Sequence, residues 1–107
     1  MLAKNYKLPI RNFLLKKPKT FSRSVNFIIR MMPNVLSFGR FGVIISKKVA
    51  SKATKRNQIK RIIFNFIKVN KIHLQPGRDI LITVLPKADS LDKKEIEKNL
   101  KTELKKI

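Results

Sequence analysis

The first 78 residues of this 107-residue chain contain no aspartate and no glutamate. All six acids (Asp79, Asp89, Asp92, Glu95, Glu97 and Glu103) follow, whereas 19 of the 26 lysines and arginines come before Asp79. Folding requires polar surface but not polar surface of one sign, and a net charge of +20 opposes compaction by self-repulsion; a polyanion is the natural compensating partner. Cysteine is absent, which excludes disulfides and thiolate metal sites and fits a reducing compartment, so a cytoplasmic location is expected. No stretch reaches the roughly 18 consecutive apolar residues that a membrane helix needs, and no membrane partner is expected. The start lacks the apolar core of a secretory signal; it is basic and acid-free like a transit peptide, but so are the next 50 or so residues, and the feature discriminates little. A single histidine, His73, and few carboxylates leave little material for general acid–base catalysis or for a two-metal nuclease centre. His73 reads as a surface loop residue. Asp79 reads as a partner of Arg78 or a nearby lysine. No Gly-rich phosphate loop is present.

Against these absences stand 43% hydrophobic residues, too many for a disordered basic arm. The length fits one domain, residues 1–107, that buries roughly 65% of its unfolded surface. Residues 9–17 read as a short helix closed by Pro18. Thr20 to Arg23 reads as a short edge strand, Val25 to Met32 as a strand before Pro33-Asn34, and Arg40 to Ser46 as another. In the last of these Phe41, Val43 and Ile45 share one face, and Arg40, Gly42, Ile44 and Ser46 the other. Thr54 to Asn70 is predicted helical, with Ile59, Ile62, Ile63, Phe66 and Ile67 forming an apolar stripe. Gln75-Pro76-Gly77 is a turn. Asp79 to Leu85 is the near-continuous apolar run of a buried central strand. Asp92 and Glu95 make a capping box, and Leu91 and Ile96 a hydrophobic staple, for a last helix that buries Ile96, Leu100 and Leu104. The order α-β-β-β-α-β-α predicts an α+β fold, a two-layer α/β sandwich.

The chemistry concentrates before and along the middle helix. Lys47, Lys48, Lys52, Lys55, Arg56 and Lys60 put six cations into 14 residues. On a helical wheel Arg56, Asn57, Lys60, Arg61, Phe64 and Lys68 oppose the apolar stripe. Lysine, arginine and asparagine donate to phosphate, and a helix N-terminus adds free amides and a positive dipole end. Arg56 and Lys60 are a like-charged i,i+4 pair, which disfavours an isolated helix and suits an anionic partner. Phe64 has two open readings: stacking on a base, or packing against a neighbouring loop. A membrane-active role is disfavoured, because the apolar stripe turns inward to the sheet. On charge and size alone, a small ribosomal or other structural RNA-binding protein fits as well as any other RNA partner.

The spacing of two motifs is more specific. Phe41-Gly-Val-Ile-Ile-Ser-Lys-Lys-Val, followed by Ala53-Thr-Lys-Arg-Asn-Gln-Ile-Lys-Arg-Ile-Ile, resembles the bacterial ribonuclease P protein subunit. So do Gln75-Pro-Gly-Arg-Asp-Ile-Leu-Ile and the helix after Ser90-Leu91. The resemblance covers residues 38–104 well and the first 37 loosely. It implies an unusual left-handed βαβ crossover around the middle helix, where generic strand physics favours the right-handed one. It implies no protein active site: the partner RNA holds the Mg²⁺ that cleaves the 5′ leader from precursor tRNA, and the protein itself binds no cofactor. The protein would be a monomer in a 1:1 complex with that RNA, binding it through Lys47, Lys48, Lys52, Lys55, Arg56, Asn57, Lys60, Arg61 and Lys68. It would hold the leader in a cleft with Phe13, Arg30 and Lys47. The chain departs from the family pattern at Gln58, Phe64 and Asn65, in a shortened front that lacks one expected aromatic, and at Arg30, where a tyrosine is common.

Overall fold

Four strands and three helices form around the apolar runs in the expected order. A computed structural model describes residues 3–75 and 77–104. Its elements are α1 (Ile10–Leu15), β1 (Lys19–Arg23), β2 (Phe27–Pro33), β3 (Arg40–Ile45), α2 (Ala53–Val69), β4 (Arg78–Val84) and α3 (Lys93–Leu104), with short 3₁₀ turns at Lys4–Tyr6, Ile72–Leu74 and Pro86–Ser90. α1 gives way at Lys17 (φ 52°), in the left-handed region, and α2 at Lys71 (φ 55°). Of the expected turn, Gly77 takes φ 85° and Pro76 lies outside the described residues, as do Met1 and Leu2 at the chain start and residues 105–107.

The strands line up as β1-β2-β4-β3. The run of Ile80, Leu81 and Ile82 therefore sits in a central strand, where both faces are covered and alternation is unnecessary. β1 and β2 are antiparallel with a bulge at Phe21, and β2 and β4 are antiparallel. β3 and β4 are parallel neighbours, joined by α2 as a βαβ crossover.

Register sorts the side chains into two faces. The inner face carries Phe27, Ile29, Phe41, Val43, Ile80, Ile82 and Val84, all buried under α2 and α3 in one apolar cluster. Ile96, Leu100 and Leu104 of α3 join it as expected. The capping box is made: the Asp92 amide donates to Glu95 Oε1 at 3.1 Å and the Glu95 amide to Asp92 Oδ1 at 2.8 Å. Ser22 Oγ donates to Glu103, a buried tie between β1 and α3 that the sequence does not announce.

The outer face has three rows: Met32, Asp79 and Arg40; Thr20, Arg30, Leu81 and Gly42; Arg23, Ile28, Thr83 and Ile44. α1 and the segment before it cover part of it, packing Phe13 and Leu8 on Leu81. Gly42 makes this possible, since a Cβ there would lie 2.9 Å from Ile10 Cγ1. The segment before α1 also runs along the free edge of β3: Lys7 bridges Phe41, and the Leu8 amide donates to the Phe41 carbonyl at 2.9 Å.

Two sequence readings need correction here. His73 is buried at 8% exposure, not a surface residue. Its ring stands edge-on to Tyr6 with centroids 4.6 Å apart, while its carbonyl accepts from the Gly39 amide. Asp79 pairs with Arg40 rather than Arg78. Nε of Arg40 donates to Oδ1 at 2.9 Å and Nη2 to Oδ2 at 2.7 Å, and Asn34 Nδ2 adds 2.7 Å to Oδ1. Opposite neighbours on one face of adjacent strands meet more readily than chain neighbours, which point to opposite faces.

Candidate nucleic-acid interface

The interface starts where β3 ends. Val49 and Ala50 are buried and pin the loop after Ile45, so that Ser46, Lys47 and Lys48 project as exposed residues. Lys52 is the N-cap of α2 but makes no side-chain cap, and no acid stands in the first turn. The first-turn amides of α2 are therefore uncapped by any side chain, a place where phosphate is stabilised. Lys52 and Lys55 line a shallow open concavity beside this end, with Asp89 as the one acid on it.

Arg56 does more than present charge. It is half-buried, and its Nη1 donates to the Ala50 carbonyl at 2.9 Å and the Ser51 carbonyl at 2.8 Å. The sequence reading set it on the outward arc; the structure turns it back to brace the loop that holds the lysines. Asn57, Lys60, Arg61 and Lys68 are exposed along α2. Lys60 lines a recess with Lys7, a cation the sequence reading did not single out.

Phe64 resolves between its two readings. It is 3% exposed, in the inner cluster, on the recess shared with Lys7, Leu8 and Ile10. Packed in that cluster, across the recess from the segment that runs along β3, it offers no face to a base. Ile62, assigned to the buried stripe, is only half-buried. The buried side of α2 is thus turned toward Phe64, which joins the inner cluster between the helix and the sheet.

The second surface is the outer sheet face. Phe13 and Arg30 both lie on it, linked through Leu81: Phe13 packs on Leu81, and Arg30 stands opposite Leu81 in the ladder. Arg30 Nη1 donates to Thr83 Oγ1 at 3.2 Å. Phe13, at 3% exposure, is a wall of this face and not a free ring. Lys47 follows Ile45 by two residues, just beyond the row of Ile28, Thr83 and Ile44. Within the three rows the sole carboxylate is Asp79, already neutralised by Arg40. The hydrogen bond from Arg40 to Asp79, ahead of their charge attraction, raises the guanidinium pKa above its ordinary value despite opposing desolvation. Among the described residues no group of three or more His, Asp and Glu side chains could hold a metal ion, and no helix is long and apolar enough to cross a membrane.

A small α+β sandwich with an acid-poor outer sheet face, and with lysines gathered at the N-terminus of a crossover helix, has the charge layout that defines the class of basic nucleic-acid-binding proteins. Comparison narrows the class. The family model for ribonuclease P matches residues 11–107, and the chain belongs to that family. The ribonuclease P protein component of Synechocystis sp. is 38% identical over 65 residues, which is 60% of this chain and 52% of that protein. That of Fusobacterium nucleatum is 41% identical over 71 residues, 63% of each. The matched stretch thus spans about half the length of the Synechocystis relative. Among solved structures, the RNase P protein of Staphylococcus aureus superposes with a TM-score of 0.82 at 28% identity, covering 94% of this chain and 93% of that one. The Thermotoga maritima RNase P protein also gives 0.82, at 29% identity, covering 94% and 99%. These superpositions take in the β3-α2-β4 crossover, so its hand is the hand found in those structures.

Proposed function

We propose that the chain is the protein subunit of a ribonuclease P ribonucleoprotein, which assists 5′ maturation of tRNA without supplying a catalytic residue. The observation that carries the proposal is the convergence, at one end of β3 and α2, of the exposed Lys47 and Lys48 with an uncapped helix start, in a chain of this family. Lys47, Lys48, Lys52, Lys55, Asn57, Lys60, Arg61 and Lys68 contact phosphates of the catalytic RNA, and Arg56 shapes the loop that presents the first of them. Each neutralised phosphate releases counterions, which favours binding at low salt. Precursor tRNA and the catalytic RNA are both polyanions, and the protein lowers their mutual repulsion.

The leader of the precursor is single-stranded, with exposed bases and backbone. It lies on the outer sheet face between the α1 wall at Phe13 and the end of β3 at Lys47, over Arg30, Thr83 and Ile44. Mature tRNA lacks this segment, so the contact favours substrate over product. The Mg²⁺ required for cleavage is held by the RNA, and the protein acts as a monomer in a 1:1 complex with it. The placement of the described titratable groups supports a non-catalytic role: Asp79 is paired, Asp92 and Glu95 cap α3, Glu103 is bonded to Ser22, and His73 is enclosed.

The test is reconstitution with the cognate catalytic RNA at low Mg²⁺. The purified protein is expected to restore cleavage of precursor tRNA at the mature 5′ end. RNA binding without any gain in cleavage would leave a purely structural RNA-binding protein in its place.

A further inference from the structure

At the end of β3 and β4 opposite Lys47 lies an apolar cavity that the RNA interface does not use. It is framed by the last turns of α2 and α3 and by the first residues of the two parallel strands. Its volume is about 150 Å³. The distance from the lysine-rich start of α2 is roughly 25 Å, the length of a 17-residue helix at 1.5 Å per residue.

The lining is divided in chemistry. Phe41, Phe66, Ile80 and Leu104 form its apolar part, and each is more than nine-tenths buried against the rest of the core. The exposed Lys101 and half-buried Arg78 also line it. Neither forms an ion pair among the described residues; the adjacent Asp79 is committed through both oxygens to Arg40. Asn70 donates its amide N–H to the Phe66 carbonyl at 2.8 Å, which leaves its side-chain oxygen free to accept. A cavity of this volume accommodates one aromatic ring, and two cations without an ion-pair partner among the described residues, beside an apolar wall, add selection for an anionic group on that ring.

We propose that this cavity is a binding site for a small ring-bearing anion: one aromatic ring seated among Phe41, Phe66, Ile80 and Leu104, its carboxylate or phosphate held by Arg78 and Lys101. The ligand is an aryl carboxylate or a mononucleotide, which share this chemistry. The site stands independently of the RNA-binding reading, since it uses none of the same residues.

A chain of this charge attracts any anion, so the experiment must locate binding as well as detect it. The folded protein, uniformly ¹⁵N-labelled, is titrated with 4-methylbenzoate, with 4-methylbenzyl alcohol as its uncharged counterpart, and with uridine monophosphate, each at fixed ionic strength. Saturable shifts centred on Gly39, Phe41, Asn70, Arg78 and Lys101 are expected for the benzoate. Binding at least tenfold weaker is expected for the alcohol, and also for benzoate with the double variant Arg78→Gln, Lys101→Gln, whose changes are at accessible positions that leave the core intact. If uridine monophosphate shifts the same residues more strongly, the ligand is a nucleotide; if it perturbs only Lys47 to Lys60, the ligand is an aryl carboxylate. Benzoate shifts confined to the Lys47–Lys60 surface, equal affinity for acid and alcohol, or an unchanged affinity in the double variant would each overturn the proposal.

Discussion

Single residues in this chain divide charge into two kinds, charge fixed by the fold and charge left for a partner. Arg40 is of the first kind. Its removal would strand Asp79, which is 5% exposed, so Arg40→Ala is expected to cost about 3 kcal/mol, the low end for breaking a buried pair, measured as a fall in unfolding free energy in urea. The sign with pH follows from the direction of the shift. A base whose pKa is raised on folding contributes stability that is complete below its unfolded value and is lost only as pH climbs through the higher folded value. For Arg40 that window lies above the ordinary arginine range, and its contribution is constant from mildly acidic to mildly basic pH. Lys60 is of the second kind, and Lys60→Ala should reduce the log–log salt slope of RNA binding by about one counterion with little change in melting temperature. Arg56 belongs to both. Arg56→Lys keeps the charge but not the reach by which one guanidinium nitrogen meets two carbonyls, so it should weaken RNA binding severalfold at a nearly unchanged salt slope; an unchanged affinity would show that Arg56 acts as a plain phosphate contact.

Elements were legible in the sequence to the extent that their causes are local. The capping box of α3, the alternation in β3 and the unbroken apolar run of β4 each specify themselves, and all appear where expected within a residue or two. What was not legible depended on neighbours brought from far along the chain. No pattern within α2 reports that Phe64 will be buried beside a recess whose other wall is the distant segment of Leu8 and Ile10. His73 is enclosed for the same reason: Tyr6, 67 positions earlier, closes over it. In the candidate interface, the gathering of Lys47 and Lys48 beside the start of α2 was legible, but not the inward turn of Arg56 or the recess that Lys7 shares with Lys60. The docking of α1 offers a direct test of element placement. Gly42→Ala puts a methyl group 2.9 Å from Ile10 and should destabilise the protein by about 1–2 kcal/mol, the cost of overpacking. By lifting α1 it should also lower the affinity for precursor tRNA more than for mature tRNA, as read from paired binding titrations.

The molecule as a whole is a basic body whose few carboxylates, Asp89 apart, are either neutralised, as Asp79 is, or gathered on and at the start of the helix that closes the inner layer. A net charge of +20 stores repulsion that salt can screen. The melting temperature of the free protein is therefore expected to rise between low salt and about 0.5 M sodium chloride, while RNA affinity falls over the same range; a melting temperature indifferent to salt would mean that the charges are too far apart to oppose folding. The two borders of the sheet carry a further consequence. That of β3 is closed by the Leu8 amide. That of β1 is unpaired among the described residues, but the strand is only five residues long, is interrupted by the bulge at Phe21 and bears Lys19 and Arg23, features that discourage one sheet from extending into another. Part of that protection is electrostatic and is cancelled when polyanions coat the surface. Over-production without enough RNA to saturate it should then give clear solutions, whereas a substoichiometric polyphosphate should cloud them by letting neighbouring copies zip together along β1.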